Sequence, residues 1–207
     1  MKIASFNING VKARIAQLTA WLPEAQPDVV VLQEIKSVDE GFPSGAIEDL
    51  GWTVHTHGQK SWNGVAVLSR LPVEEVRRGL PGDDTDEQAR WIEATVSGAA
   101  GAIRVCGLYL PNGNPAPGPK YDYKLAWMER LRLRAAELLA SELPVVMLGD
   151  YNIIPEPRDA AHPERGGTAD EPQQVTPDLL RAFGESKRAD EALYRAKQGG
   201  RNRVEAG

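Results

Sequence analysis

Residues 29–36, with the sequence VVVLQEIK, decide the fold class of this protein. The aliphatic run from Val29 to Leu32 predicts a short strand buried on both faces, as in the central strands of α/β proteins. Glu34 follows that run almost at once. A carboxylate at the end of such a strand is costly unless a partner compensates its charge. The stretch therefore predicts a buried sheet with a charged site at the carboxyl end of one strand.

Further apolar runs rich in β-branched residues predict strands at residues 3–6, 52–55, 65–68, 91–96, 103–110 and 145–148. Helical periodicity predicts a helix over residues 11–22, with Pro23 as its stop, and a longer helix whose apolar stripe spans residues 125–138. Several strands in succession separate the two helices. This order indicates an α/β sandwich with mixed sheets rather than a Rossmann alternation.

Length and composition limit the class of protein. With 207 residues, 42% of them hydrophobic and 26% charged, the chain is expected to fold as one full domain. Because 24 Lys and Arg face 29 Asp and Glu, the net charge of −5 provides no overall basic field for polyanions. Any contact with nucleic acid must then come from a local patch or a metal ion.

Cysteine usage and hydropathy indicate a cytoplasmic protein. One cysteine and three histidines exclude an internal disulfide and leave too few ligands for a closed structural zinc site. No apolar run approaches the roughly 18 residues of a membrane span, and the N-terminus lacks the layout of a signal peptide. We expect a protein without membrane contact that is a monomer when folded. Cys106, inside an apolar run, is expected to be a buried, inert thiol.

Polar side chains directly follow the predicted strands, where they can converge at one edge of a sheet. They are Asn7 with Asn9, Glu34, Tyr109, and Asp150 with Asn152. Carboxylate and amide oxygens are the ligands that Mg²⁺ prefers, so Glu34, Asn7 and Asn9 form a candidate metal site. A helix-capping role is the alternative for Glu34.

Asp150 and Asn152 form a second candidate pair. If the chain stays extended there, the two side chains point to the same face. A carboxylate beside an amide can deprotonate a water and bind a phosphate oxygen. A simple turn is the alternative for the Gly-Asp-x-Asn pattern.

Residues 1–163 resemble the exonuclease III family of abasic-site endonucleases, within the endonuclease/exonuclease/phosphatase superfamily. The motifs that carry the resemblance are SFNINGV (5–11), LQEIK (32–36), NGVA (63–66), QAR (88–90), YLPNG (109–113) and LGDYNIIP (148–155). The resemblance implies a four-layered α/β sandwich that is incomplete at its C-terminal side. It also implies Mg²⁺-dependent hydrolysis, with Mn²⁺ as a substitute, of phosphodiester bonds in duplex DNA, at abasic sites and from 3′ ends.

The resemblance also assigns roles to residues. Glu34 would bind the metal, with Asn7 and Asn9 near it, and Tyr109 would hydrogen-bond the scissile phosphate. Asp150 would position the attacking water, and Asn152 would hold Asp150 or the phosphate.

Three basic residues fall where that family touches the DNA backbone. They are Arg90, Lys120 and Lys124, for which a merely solvated position is the alternative. The tryptophans are expected to lie mostly in the core or at the rim of a groove; burial is favoured for Trp62, and the alternative is that it faces DNA.

Nothing after residue 163 resembles the family. The chain has no Asp-His dipeptide, although the family ends in an Asp-His pair that contacts the phosphate, and His162 is expected to face solvent in a loop. Residues 164–186 are interpreted as a linker or loop. Residues 187–207 are interpreted as a short helix that resembles the last helix of diguanylate cyclase domains, without the signature loop of that family.

Two alternatives to a working nuclease therefore stand. One is a catalytically inactive fragment that binds DNA or a partner protein at most. The other is a superfamily relative that acts on phosphorylated lipids or small phosphates, which the QAR and YLPNG motifs disfavour.

Overall fold

The computed structural model describes residues 1–154 and 173–174. Its strands and helices are, in chain order, β1 (Ile3–Asn7), α1 (Val11–Ala25), β2 (Val29–Gln33), α2 (Ser44–Glu48), β3 (Thr53–His57), β4 (Val65–Ser69), β5 (Val73–Arg78), β6 (Trp91–Gly98), β7 (Gly101–Tyr109), α3 (Pro119–Leu139), β8 (Val145–Asp150), β9 (Ile153–Ile154) and β10 (Gln173–Gln174).

The chain divides into two units. The first comprises Met1–Pro111 and Leu143–Asn152, and it holds both large sheets. The second begins at Asn112, includes α3, and resumes at Ile153. Within the second unit, β9 and β10 form a short parallel pair.

Both four-stranded sheets of the first unit are mixed, as the sequence predicts. One has the order β1-β2-β4-β3, in which only β1 and β2 run parallel. The other has the order β5-β6-β7-β8, in which only β7 and β8 run parallel.

Strand β2 is fully buried because it packs on both of its faces. Val29 and Val31 join the apolar layer between the two sheets, where they meet side chains of β6 and β7 such as Ile92 and Val105. The alternate residues of β2 point the other way, into a second core formed with α1, α2 and the adjoining loops. The expected burial of this strand is therefore confirmed, and the first unit has a helix layer over two stacked sheets.

Helix α1 does not stop at Pro23, so the expected boundary was wrong. It continues to Ala25, with Pro23 inside its last turn. Gln26 ends it in the left-handed conformation, at φ 51°, with its backbone N–H bonded to the carbonyl of Leu22. Proline is tolerable there because it removes a single hydrogen bond near the end of the helix.

Strand β5 was missed because its sequence, VEEVRR, has no apolar run. It is an edge strand whose charged side chains are exposed, and Arg77 and Glu75 form an ion pair 2.8 Å long on it. Such charged edges are common because they block pairing with another chain.

Several expectations lie outside the described residues, namely the loop at 164–186, the terminal helix at 187–207 and the position of His162. The division at residue 163 stays a prediction. No helix in the described part of the chain is both long and apolar enough to cross a membrane. Cys106 is completely buried in β7, as expected.

Candidate active site

The site lies at one edge of the first unit, where four strands end. In the parallel pair of β1 and β2, Asn7 is in register with Gln33, so Glu34 follows directly. In the parallel pair of β7 and β8, Tyr109 is in register with Asp150. Because the carboxyl ends of parallel strands coincide, each sheet delivers its polar residues to this edge.

Asn7 connects the two sheets through its side-chain amide. Its Nδ2 donates to Glu34 Oε1 at 2.8 Å and to Asp150 Oδ2 at 2.9 Å. The hydroxyl of Tyr109 donates to the same Glu34 oxygen at 2.9 Å. The structure therefore brings together four of the predicted residues, with one amide between two carboxylates.

The backbone N–H of Asn9 donates to Asn7 Oδ1 at 3.0 Å, and its side chain reaches this cluster through Lys36. The ammonium of Lys36 lies 2.9 Å from Glu34 Oε2 and donates to Asn9 Oδ1 at 2.6 Å. Lys36 was not predicted as a site residue. The available signal was its place in the motif LQEIK, two positions after Glu34.

The backbone turns sharply after β1, β2 and β8. Asn9, Glu34, Lys36 and Asn152 all have positive φ angles, between 45° and 52°. This left-handed region is uncommon for residues other than glycine, and such residues gather at functional sites. The turns aim the side chains at the sheet edge instead of continuing the strands.

Asn152 is not placed as an extended segment would place it. Strand β8 ends at Asp150, and the backbone N–H of Asn152 donates to Asp150 Oδ1 at 2.9 Å. The side chain of Asn152 is buried and donates to the carbonyl of Leu110 at 2.7 Å. The expectation of two side chains facing the same way was wrong because Asn152 adopts the left-handed conformation. Asn152 holds Asp150 through its backbone instead.

Arg90 packs against Tyr109. Its guanidinium carbon is 4.9 Å from the centre of the Tyr109 ring, and one of its terminal nitrogens donates to the Tyr109 carbonyl at 3.2 Å. The backbone N–H of Tyr109 donates in return to the Arg90 carbonyl at 2.9 Å. Gln88 accepts from Arg90 Nε at 2.7 Å. The QAR motif therefore holds Tyr109 in position.

The two lysines of the second unit differ in exposure. Lys120 is exposed near the start of α3, whereas Lys124 is fully buried and its ammonium donates to the carbonyl of Asn112 at 3.1 Å. An ammonium so enclosed is not available to a ligand at the surface. A direct contact between Lys124 and DNA is therefore not expected.

Burial and hydrogen bonding shift the pKa values of two site residues. Burial alone raises the pKa of Glu34, but hydrogen bonds from Asn7, Lys36 and Tyr109, with the charge of Lys36, leave it below its ordinary value. Burial and the neighbouring Glu34 carboxylate raise the pKa of Tyr109. At neutral pH Glu34 is thus ionised and Tyr109 is a hydrogen-bond donor.

The donor set suits a hard cation that keeps most of its waters. Among residues 1–154 and 173–174, no group of three or more His, Cys, Asp or Glu side chains is placed to enclose a metal. Mg²⁺ needs no such enclosure, because one or two carboxylates with waters and substrate phosphates hold it. The oxygens of Glu34 and its amide neighbours meet that requirement.

Comparison with known proteins identifies the family of this chain. The family model described as "Endonuclease/Exonuclease/phosphatase family" matches residues 4–203. The chain belongs to this family. The expected resemblance to exonuclease III is also confirmed, since the chain is 40% identical over 160 residues to exodeoxyribonuclease III of Haemophilus influenzae. That match covers 77% of this chain but 60% of the relative, so the chain spans little more than half of that protein's length.

Solved structures of family members confirm the α/β fold. A 3′-5′ exonuclease (NExo) from Neisseria meningitidis superposes with a TM-score of 0.80 at 34% identity, over 91% of this chain and 71% of that one. An AP endonuclease from Archaeoglobus fulgidus gives a TM-score of 0.80 at 33% identity, over 91% of this chain and 70% of that one.

Proposed function

We propose that this family member is a Mg²⁺-dependent nuclease of DNA repair, which hydrolyses phosphodiester bonds of duplex DNA at abasic sites and at 3′ ends. The observation that carries the proposal is the amide of Asn7 between Glu34 and Asp150, with the Tyr109 hydroxyl on Glu34. The names of its relatives, an exodeoxyribonuclease and an AP endonuclease, support the reaction class. In this proposal Mn²⁺ can replace Mg²⁺ because it takes the same oxygen ligands.

In this proposal the residues divide the chemistry between them. Glu34 would hold the metal, with Asn7 and Asn9 beside it, and a metal bound there would supply positive charge against the phosphate. Asp150 accepts the proton of the attacking water, and Asn7 and the backbone of Asn152 fix its orientation. With substrate bound, the Tyr109 hydroxyl exchanges its hydrogen bond to Glu34 for one to a phosphoryl oxygen, and its raised pKa keeps it protonated at neutral pH.

Contacts to the DNA backbone come from few residues in this proposal. Lys120, which is exposed, is one of them. Arg90 acts mainly through Tyr109, against which it packs. We place the protein in the cytoplasm as a monomer.

An inactive, DNA-binding or partner-binding fragment is the second candidate. The observation in its favour is that the chain contains no Asp-His dipeptide, the pair expected from the exonuclease III resemblance. Losing one donor to the transition state typically lowers kcat by about 10² to 10³.

The deciding experiment is incision of a duplex that carries one abasic site, in Mg²⁺ and in EDTA. Asp150→Asn removes the proposed base without changing its shape, and Asp49→Asn, at an exposed position in the first unit, is the matched control. We expect Mg²⁺-dependent incision that Asp150→Asn reduces at least 100-fold, the order found for loss of a catalytic group, and that Asp49→Asn retains. A folded wild-type chain that never incises the duplex would leave only the inactive fragment.

A further inference from the structure

Trp62 is unusually exposed for a tryptophan. It is 71% exposed, the highest value among the large hydrophobic side chains in the described part of the chain, although burial was expected. It lies in the loop at residues 58–64, which joins β3 to β4. An indole left in water gives up much of the free energy that its burial would provide.

The loop of Trp62 is bonded directly to the segment that carries Glu34. The backbone N–H of Lys36 donates a hydrogen bond to the carbonyl of Asn63 at 3.1 Å, and the N–H of Ile35 donates one to the carbonyl of Gly64 at 3.1 Å. Trp62 therefore stands next in the chain to a residue that is bonded to the candidate active site.

Side-chain hydrogen bonds also hold the loop in place. Asn63 is buried, and its Nδ2 donates to Gln59 Oε1 at 2.9 Å and to Gln88 Oε1 at 3.3 Å. The backbone N–H of Ala89 also donates a hydrogen bond to Gln59 Oε1, at 3.0 Å. Trp62 is thus presented outwards on a fixed backbone, so a ligand that stacks on it has little loop entropy to remove.

A basic residue lies in the same loop as the indole. Lys60 is two positions before Trp62 in the chain and is exposed. An exposed aromatic beside a basic residue is the combination with which proteins hold single-stranded nucleic acid, the ring taking a base and the cation a phosphate. In a duplex the faces of the bases are covered by their neighbours, so an unpaired base is the natural occupant.

We propose that Trp62 is a stacking site for an unpaired nucleobase of the nucleic acid held at the active-site edge, with Lys60 on a neighbouring phosphate. The proposal rests on the proposed function for the identity of the substrate. It adds a preference for frayed or unpaired bases near the bond that is cut.

Binding in EDTA tests the proposal without any cleavage. The two probes are an oligothymidylate and an oligomer of the same length made of tetrahydrofuran abasic residues, which keeps the phosphates and lacks the bases. We expect the wild type to bind the oligothymidylate about tenfold more tightly, as stacking on one aromatic implies. Binding of the oligothymidylate should also quench the indole fluorescence of the wild type. Trp62→Ala should bind both probes equally and lose this quenching, whereas Trp62→Phe should keep most of the difference in affinity.

Trp21→Ala is the matched control, because Trp21 is also exposed, at 37%, but lies on α1. It should preserve the preference for bases. Lys60→Ala should weaken binding of both probes alike and reduce the salt slope by about 0.7. Thermal unfolding of each variant checks that it folds.

The inference is overturned if the wild type does not distinguish the probes, or if Trp62→Ala distinguishes them as well as the wild type does. Either result leaves the proposed function intact, provided that abasic duplex is still incised. Base-dependent binding through Trp62 by a chain that never incises DNA would instead support the inference and contradict the proposed function.

Discussion

The Arg90 guanidinium stacks on the Tyr109 ring and donates to the Tyr109 carbonyl, and the backbone N–H of Tyr109 donates to the Arg90 carbonyl. Lysine keeps the charge but lacks the planar fork that makes the two side-chain contacts. We expect Arg90→Lys to lower kcat about tenfold with little change in KM, because the tyrosine hydroxyl is less well oriented while the substrate still binds. The loss of a cation–π contact of about 1–2 kcal/mol corresponds to that factor in kcat.

Steady-state kinetics on abasic duplex at several salt concentrations measures this effect. Arg77→Lys, on the exposed ion pair of β5, is the control and should behave as the wild type. A raised KM together with a shallower salt dependence would instead mean that Arg90 contacts a phosphate directly.

At the scale of residues, the sequence indicates which side chains meet but not how they meet. Glu34 and Tyr109 are recognisable because each follows an apolar strand, which is a one-dimensional pattern. The contact of Lys36 with Glu34 and the inward turn of Asn152 depend on left-handed backbone angles that no spacing reveals. The burial of Lys124 likewise depends on how its helix packs.

At the scale of elements, the pairing of β7 with β8 depends on Gly149. A Cβ at this position would lie 1.9 Å from the carbonyl oxygen of Leu108, which is backbone and has no room to move aside. Gly149→Ala should therefore force the strands apart, displace the adjacent Asp150 and lower the free energy of unfolding by at least ~1–3 kcal/mol.

Urea unfolding monitored by tryptophan fluorescence gives this free energy. Gly45→Ala is the comparison, since a Cβ there has no neighbour within 4 Å, and alanine favours helix α2 by about 0.5–1 kcal/mol. Equal stability of Gly149→Ala and the wild type would mean that β7 and β8 are not in such close contact.

The elements themselves were predictable to the degree that they are apolar. Strands such as β2 and β4 are buried on both faces and therefore have continuous aliphatic sequences. Strand β5 carries its charges to solvent at a sheet edge, and α1 accommodates a proline in its last turn. Both depend on position in the sheet or helix, which a run of residue types does not encode.

At the scale of the whole molecule, His55 makes stability depend on pH. Burial, and then the charge of Arg78, lower the pKa of His55 in the folded state. Its Nε2 is buried without a hydrogen-bond partner among the described residues. Protonation therefore favours the unfolded chain, in which the pKa is the ordinary value of about 6.5. The stabilising contribution is present above that value and is lost as the pH falls through the folded-state pKa.

We expect the midpoint of thermal unfolding to fall between pH 7 and pH 5, above the range in which ordinary carboxylates titrate. His55→Leu should flatten the profile in this interval, because leucine has no proton to gain. A profile that keeps its full slope in this variant would assign the effect to another group.

Cys106 is the single cysteine of the chain and is completely buried in the middle of the second sheet. A thiol reagent can therefore modify the protein only when that sheet opens, so the labelling rate reports how often the native state opens. A ligand that binds only the native state lowers the labelling rate by the factor 1 + [L]/Kd. The protein thus contains its own binding reporter, which needs neither a dye nor turnover and serves equally for active and inactive variants.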